Sequence, residues 1–351
     1  MIPDLGIIEG YYGRPWSDER REHAIAFLAP RGYRFFLYAP KADEFLRKRW
    51  RESYPAEQEA RLRRLAAHCK ARGVRFGVGL SPYELYRAFD DPAKAALADR
   101  LALFDSVGVE ILAILFDDMR GDLPGLAATQ TEILHWIGAR TKAQKLVTCP
   151  TYYTDDPVLD RVFGARPANY LEELGAALDP AIDVFWTGEE VCSREYSVGH
   201  LARVEGQLRR KPFLWDNYPV NDGARMSQFL HVRAFTGRPA SIAGKLAGHA
   251  VNPALQPTLS LIPLLTLVES YERGESYSYG EAFAHATDAV LGPQFARAVR
   301  DDLIFLQDTG LDRLGDRRRR LRERYATIDH PAAKEIVSWL DGVYRFTAEI
   351  A

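Results

Sequence analysis

Eight times along the chain, a short and nearly continuous apolar run gives way to a longer stretch with apolar residues at helical spacing. Runs that are continuous, not alternating, suit parallel strands buried on both faces. They fall at Leu5–Tyr12, Tyr33–Pro40, Arg75–Ser81, Glu110–Asp118, Lys145–Tyr152, Asp183–Gly188, Pro212–Asn217 and Ser241–Ala250. The helical stretches between them are Asp18–Leu28, Ala56–Arg72, Pro92–Val107, Leu126–Ala139, Asn169–Leu178, Val198–Arg209, Arg225–Phe235 and Pro257–Tyr271. Strand then helix, repeated eight times, predicts an α/β protein with a (β/α)8 TIM barrel over residues 1–275. The competing fold is an open doubly wound sheet. It is disfavoured because no Gly-x-Gly-x-x-Gly turn follows the first run. Beyond it only helical patterning remains, at Glu281–Leu291, Gln294–Gln307 and Pro331–Ala348. Residues 276–351 are therefore expected to form a C-terminal helical segment.

Composition narrows the partners. The 351 residues are 47% hydrophobic with a net charge of −2, ordinary for a globular enzyme and unlike a disordered chain. The arginine run Arg313–Arg324 is interspersed with Asp316 and Glu323 and predicts a solvated helix face. With no aromatic interleaving beside it, no nucleic-acid partner is expected. The longest apolar stretch, Leu259–Val268, is broken by Pro263 and is too short to span a bilayer. Three scattered cysteines make no disulfide framework, and Met1–Asp4 opens no signal-peptide pattern. The expectation is a soluble, reduced, cytoplasmic protein. The eight histidines occur singly, with no His-x-x-x-His pair, so neither a metal nor another cofactor is expected.

Barrel enzymes keep their chemistry at the carboxyl ends of the strands. Here those ends read Glu9-Gly10-Tyr11-Tyr12, Tyr38-Ala39-Pro40-Lys41, Phe116-Asp117-Asp118, Thr151-Tyr152-Tyr153, Trp186-Thr187-Gly188, Trp215-Asp216-Asn217 and, after the eighth, Asn252-Pro253. Carboxylates and amides bond sugar hydroxyls, while Trp and Tyr faces cover the apolar side of a pyranose. A phosphate site would want a glycine-rich loop and a basic cluster, for which Lys41 and Arg14 alone are a thin case.

Asp117 and Asp118 follow five apolar residues, Leu112–Phe116, directly. Two such carboxylates repel, so one is expected to hold its proton near neutral pH and serve as an acid. The bland alternative is a helix N-cap. Adjacency also limits mechanism. A pair that flanks the sugar must stand about 5–9.5 Å apart, which neighbours on one strand do not readily achieve. A substrate-assisted route fits instead: the 2-acetamido oxygen attacks the anomeric carbon, one acid orients the acetamido group, and the other protonates the leaving group. The substrate is then an N-acetylhexosaminide.

Taken together, the segments Glu9–Trp16, Tyr38–Lys41, Leu115–Asp118, Cys149–Thr151, Trp186–Gly188 and Trp215–Asn217 resemble glycoside hydrolase family 84, over about Leu5–Tyr271. That family holds the protein O-GlcNAcases and bacterial β-N-acetylglucosaminidases. The resemblance implies a retaining exo-β-N-acetylglucosaminidase acting through an oxazoline, on a glycoprotein or a small glycoside. It implies that Asp117 positions the acetamido group and Asp118 is the acid and then the base. Tyr153 would donate to the acetamido oxygen, Trp215 would wall the methyl pocket, and Asn217 would support the acetamido-binding acid. Gly10 through its backbone, Lys41, Asp222 and Asn252 would bind the sugar hydroxyls. Tyr11 departs from the Phe of several relatives, and Tyr152 stands at a variable position.

Each residue also has a structural alternative: a loop lysine at Lys41, core packing at Trp215 and Tyr153, turn chemistry at Asp222 and Asn252. Two other functions compete. One is a non-catalytic GlcNAc-binding barrel, which would lack a working acid pair. The other is a hyaluronidase-like endo-hexosaminidase, which would need an open cleft. The apolar C-terminal helices leave packing on their own barrel and packing in a homo-oligomer both open.

Overall fold

A computed structural model describes residues 2–346. Eight parallel strands close a barrel in sequence order. They are β1 (Leu5–Glu9), β2 (Tyr33–Tyr38), β3 (Arg75–Leu80), β4 (Ile111–Leu115), β5 (Lys145–Cys149), β6 (Asp183–Trp186), β7 (Phe213–Asp216) and β8 (Gly248–Val251). The ring is sealed where β1 pairs with β8. Around it lie α1 (Asp18–Leu28), α2 (Ala56–Lys70), α3 (Asp91–Val107), α4 (Leu126–Gly138), α5 (Val158–Phe163), α6 (Tyr170–Ala177), α7 (Val198–Leu208), α8 (Gly223–Met226) and α9 (Pro257–Arg273). Local chemistry sets several of these ends. Ser17, Asp90 and Ser197 accept the first free N–H groups of α1, α3 and α7, and Gly108 ends α3 with φ +84°. This is the expected (β/α)8 TIM barrel.

The strands are shorter than the apolar runs. Pairing persists past them only in single bonds, such as Phe116 N to Cys149 O at 2.9 Å and Asn252 N to Asp216 O at 2.9 Å. The last residues of most runs thus form the barrel mouth. Within the expected eighth strand, Ala240–Lys245 is a 3-10 helix, and β8 starts only at Gly248. That segment is small and flexible in composition, with Ile242 its one β-branched residue.

The expected helix Arg225–Phe235 is reduced to the single turn of α8. From Leu230 onward the backbone N–H groups bond outward, not four residues back. Leu230 N donates to Leu306 O, Val232 N and Arg233 N share Gln307 Oε1, and Phe235 N donates to Thr266 Oγ1. Tertiary partners far along the chain have displaced local helix. The short α5 was not foreseen.

Residues after 276 form α10 (Tyr279–Leu291), α11 (Pro293–Asp301), α12 (Asp316–Ala326) and α13 (Pro331–Leu340). The expected Gln294–Gln307 helix stops at Asp301 and resumes as a π-turn over Ile304–Asp308. Of the expected Pro331–Ala348, helix ends at Leu340, and residues 347 and 348 lie outside the described residues. A second apolar core joins Phe295, Tyr325, Ile336 and Trp339 to Leu230, Val232, Leu259 and Ile262 of the barrel side. The arginine run lies on α12, with Arg317, Arg319, Arg320 and Arg322 exposed while Leu321 and Tyr325 are buried. No described helix is long and apolar enough to cross a membrane.

Glu335 of α13 is buried and accepts from Thr258 N and Leu259 N, both at 2.9 Å, capping α9 from outside. Burial pushes its carboxyl up to about 7. Replacing it with Ala orphans two buried donors, so Glu335→Ala is expected to cost about 1–3 kcal/mol in urea unfolding. Because the folded value is raised, its stabilising contribution is complete below about 4.5 and is lost as pH rises through about 7. Glu335→Gln should abolish that decline, which denaturation across the interval will measure.

Candidate active site

At the carboxyl end of the barrel lies a cavity of about 160 Å3. Its lining includes Gly10, Lys41, Asp117, Asp118, Tyr153, Trp215, Asn217, Asp222 and Asn252. All nine residues singled out in the sequence therefore meet in one place, Trp215 from within β7 and the others from the loops after β1, β2, β4, β5, β7 and β8.

The acids are arranged by the backbone. Successive residues of a strand point to opposite faces, which would send one aspartate away. Strand β4 ends at Leu115, and Asp118 adopts φ +56° in the left-handed region. This turn, which Asp tolerates better than most residues, brings both side chains to the cavity. Asp117 is 5% exposed, and its Oδ2 lies 2.5 Å from Lys41 Nζ. The same ammonium is 3.8 Å from Asp118 Oδ2. Burial drives the Asp117 carboxyl up, Lys41 opposes it and the neighbouring Asp118 charge adds to it, leaving a net upward shift. Burial works against the Lys41 ammonium, but Asp117 and Asp118 outweigh it and raise it above the ordinary lysine value. Asp117 Oδ1 is buried with no hydrogen-bond partner among the described residues.

Tyr12, for which the sequence suggested no role, ties this centre to the rim. Its hydroxyl donates to Asp118 Oδ2 at 2.8 Å and its N–H to Asp222 Oδ2 at 2.8 Å. Burial, with Asp118 beside it, raises the phenol well above its usual value, so it remains a donor. Burial pushes Asp222 up to about 6, against the Tyr12 N–H. Arg47 is also new: its guanidinium lies 5.4 Å from the Tyr12 ring centroid and reaches the Asp118 carbonyl at 3.4 Å. Tyr12 sits inside the motif after β1, so its position was visible; Arg47 carried no local signal.

The opposite wall is a closed amide network. Asn217 Oδ1 accepts from Trp215 Nε1 at 3.0 Å and from Asn252 Nδ2 at 2.9 Å, and Asn217 Nδ2 donates to Val191 O at 2.8 Å. The Asn217 side chain thus holds Trp215 and Asn252 and makes no bond to Asp117; the support expected from it comes from Lys41. Asn252 Oδ1 takes the Gly10 N–H at 3.2 Å. Gly10 must be glycine here, since a Cβ would stand 2.5 Å from Trp215 Cζ2. Tyr153 lines the cavity, and its hydroxyl makes no hydrogen bond among the described residues. Cys149 and Cys192 line the cavity, and burial raises both thiols, Cys192 to about 12, so neither is a ready nucleophile.

The fold and this acid-rich, aromatic pocket are those of a glycoside hydrolase, and comparison places the chain within one family. Residues 5–305 match the family described as beta-N-acetylglucosaminidase. The chain belongs to that family, glycoside hydrolase family 84. It is 30% identical over 261 residues to the protein O-GlcNAcases of Mus musculus and Rattus norvegicus, a match covering 71% of this chain and 28% of each relative. The chain thus spans little more than a quarter of those proteins. Among solved structures it is similar to a mutant of the Thermobaculum terrenum O-GlcNAc hydrolase, with TM-score 0.79 and 28% identity, covering 96% of this chain and 80% of that one.

Removing Lys41 strands a buried carboxylate. Lys41→Met is expected to cost about 3–5 kcal/mol in chemical denaturation. Adding Asp117→Asn should restore most of that loss, since the double variant buries no unpaired charge.

Proposed function

We propose that the protein is a retaining exo-β-N-acetylglucosaminidase that uses the substrate's own acetamido group as nucleophile. One observation carries this reading: Asp117 lines a sugar-sized cavity and keeps a buried oxygen that lacks a donor. A buried polar atom without a partner is costly, and an acetamido N–H meets the need. The relatives, protein O-GlcNAcases and an O-GlcNAc hydrolase, support the same sugar.

In the first step Asp117 holds the acetamido N–H while the acetamido oxygen attacks the anomeric carbon. The bond from that carbon to the leaving oxygen breaks, and the Asp118 proton passes to that oxygen. An oxazoline forms as the acetamido N–H proton passes to Asp117, which returns it when the acetamide is regenerated, and Asp118 is now a carboxylate. In the second step Asp118 takes a proton from water, the water oxygen attacks the anomeric carbon, and the oxazoline C–O bond opens to regenerate the acetamide. Two inversions leave the configuration retained. Tyr153 donates to the acetamido oxygen, Trp215 walls the methyl group, and Lys41, Asp222, Asn252 and the Gly10 carbonyl serve the hydroxyls. Tyr12 and Arg47 hold Asp118 in place.

A cavity of about 160 Å3 lies below the usual ligand-pocket range of ~300–1,000 Å3 and suits one terminal sugar, which favours exo over endo cleavage. A binding-only barrel has no use for a second, half-buried acid beside the first. We place the reaction on β-linked GlcNAc of a protein or small glycoside.

Asp118→Ala is expected to lower kcat by about 100- to 10,000-fold on alkyl glycosides and far less on aryl glycosides with good leaving groups. Asp117→Ala should slow the first step on both. A para-nitrophenyl glucoside, lacking the acetamido arm, should not be turned over. Near wild-type rates in both variants, or equal cleavage of glucoside and N-acetylglucosaminide, overturn the assignment.

A further inference from the structure

After α13 the chain turns back toward the mouth of the barrel. The N–H of Gly342, a residue at φ +82°, donates to Trp339 O at 2.9 Å, and that of Val343 donates to Ser338 O at 3.0 Å. These are the paired bonds that close a helix on a left-handed glycine. Tyr344 then packs against both apolar cores. The N–H of Phe346 donates to Ser227 Oγ at 3.3 Å. Ser227 is itself buried, its carbonyl accepts from Trp339 Nε1 at 3.3 Å, and its N–H closes the turn of α8 on Gly223 O. That turn begins directly after Asp222. Residues 342–346 are thus tied to the rim at its sugar-binding side.

The Phe346 ring stands against Tyr12. The two centroids are 6.5 Å apart with the ring planes at 89°, an edge-to-face pair within the roughly 4.5–7 Å range of attractive aromatic contacts. It is the one aromatic partner of Tyr12 among the described residues. The hydroxyl of the same tyrosine donates to Asp118 Oδ2. Two torsions move a tyrosine ring, and a single bond at its tip leaves that ring free to travel with its acceptor. Packing against the body of the ring is what turns the bond into a restraint.

We propose that Phe346 is a positioning residue for the acid: it holds the Tyr12 phenol where its hydroxyl meets Asp118, so the C-terminal segment takes part in proton delivery to the leaving oxygen. This rests on the reading of Asp118 as the acid. Phe346 does not line the cavity and acts only through Tyr12. Without the ring, the bond from Tyr12 to Asp118 can still form but is no longer imposed. The loss therefore falls on the step in which Asp118 gives up its proton, and it is felt most when the leaving oxygen is strongly basic.

The test uses the whole protein with two substrates, methyl and para-nitrophenyl N-acetyl-β-glucosaminide. Urea unfolding of each variant allows turnover to be stated per folded molecule. Phe346→Ala should lower kcat on the methyl glycoside by about fivefold, with KM within about twofold. On the aryl glycoside kcat/KM should stay within about twofold. Ser227→Ala, which removes the anchor of the tail, should show the same split. Phe346→Tyr, which keeps an aromatic edge, should remain within about twofold on both substrates. In a Tyr12→Phe background Phe346→Ala should cost less than about twofold further, because the hydroxyl through which it acts is gone. Parallel loss on both glycosides, unchanged kinetics in both tail variants, or a full second loss in the Tyr12→Phe background overturns the proposal. If Asp118→Ala spares the aryl glycoside while neither tail variant slows the methyl one, only the role of Phe346 falls. If Asp118→Ala impairs both glycosides equally, the reading of the acid falls with it.

Discussion

Two neighbouring carboxylates at a buried barrel mouth are tenable only because one ammonium answers them. Lys41 stands in the loop after β2 and both aspartates after β4, so the ion cluster spans two loops with β3 between them. Desolvation raises the energy of each charge, and the pairing of Lys41 with Asp117 offsets part of that rise. The pair does not satisfy Asp117 completely, since one oxygen is left without a donor. On the function proposed above, stability has been given up at the atom that receives the acetamido N–H, the usual relation between strain and function at a site. The left-handed backbone of Asp118 is a second such concession.

Much of this was legible beforehand, and for a physical reason. Parallel strands covered on both faces write themselves as uninterrupted apolar runs, so Ile111–Leu115 and its counterparts stand out. Polar and aromatic side chains at barrel strand ends follow those runs closely, which is why the nine candidate residues of the sequence line one cavity. The failures are equally physical. Residues 230–235 carry helical spacing, yet Gln307, more than 70 positions away, takes two of their N–H groups. No local pattern announces a partner that distant. Arg47 was missed for the same cause: its value lies in stacking on Tyr12 across a loop. The contact with Asp117 implied for Asn217 is made by Lys41, because spacing identifies a residue and not the direction of its hydrogen bonds.

The helices after residue 276 are bound to the barrel through a polar clasp as well as a shared apolar core. Glu335 supplies α9 with the cap that its own Gln256 does not provide. Gln307 and Leu306 order the loop that follows Asp222. That loop descends from the residue that holds Tyr12, so the helical segment reaches the cavity indirectly, by fixing a neighbour of its rim.

The bond from Gly10 to Asn252 links positions 242 residues apart, across the seam where the ring is sealed. Asn252 in turn fixes Asn217, and Asn217 fixes Trp215. The Gly10 edge of the cavity is therefore a property of closure, joined to the wall built at the ends of β7 and β8 only where the first strand and the last find each other.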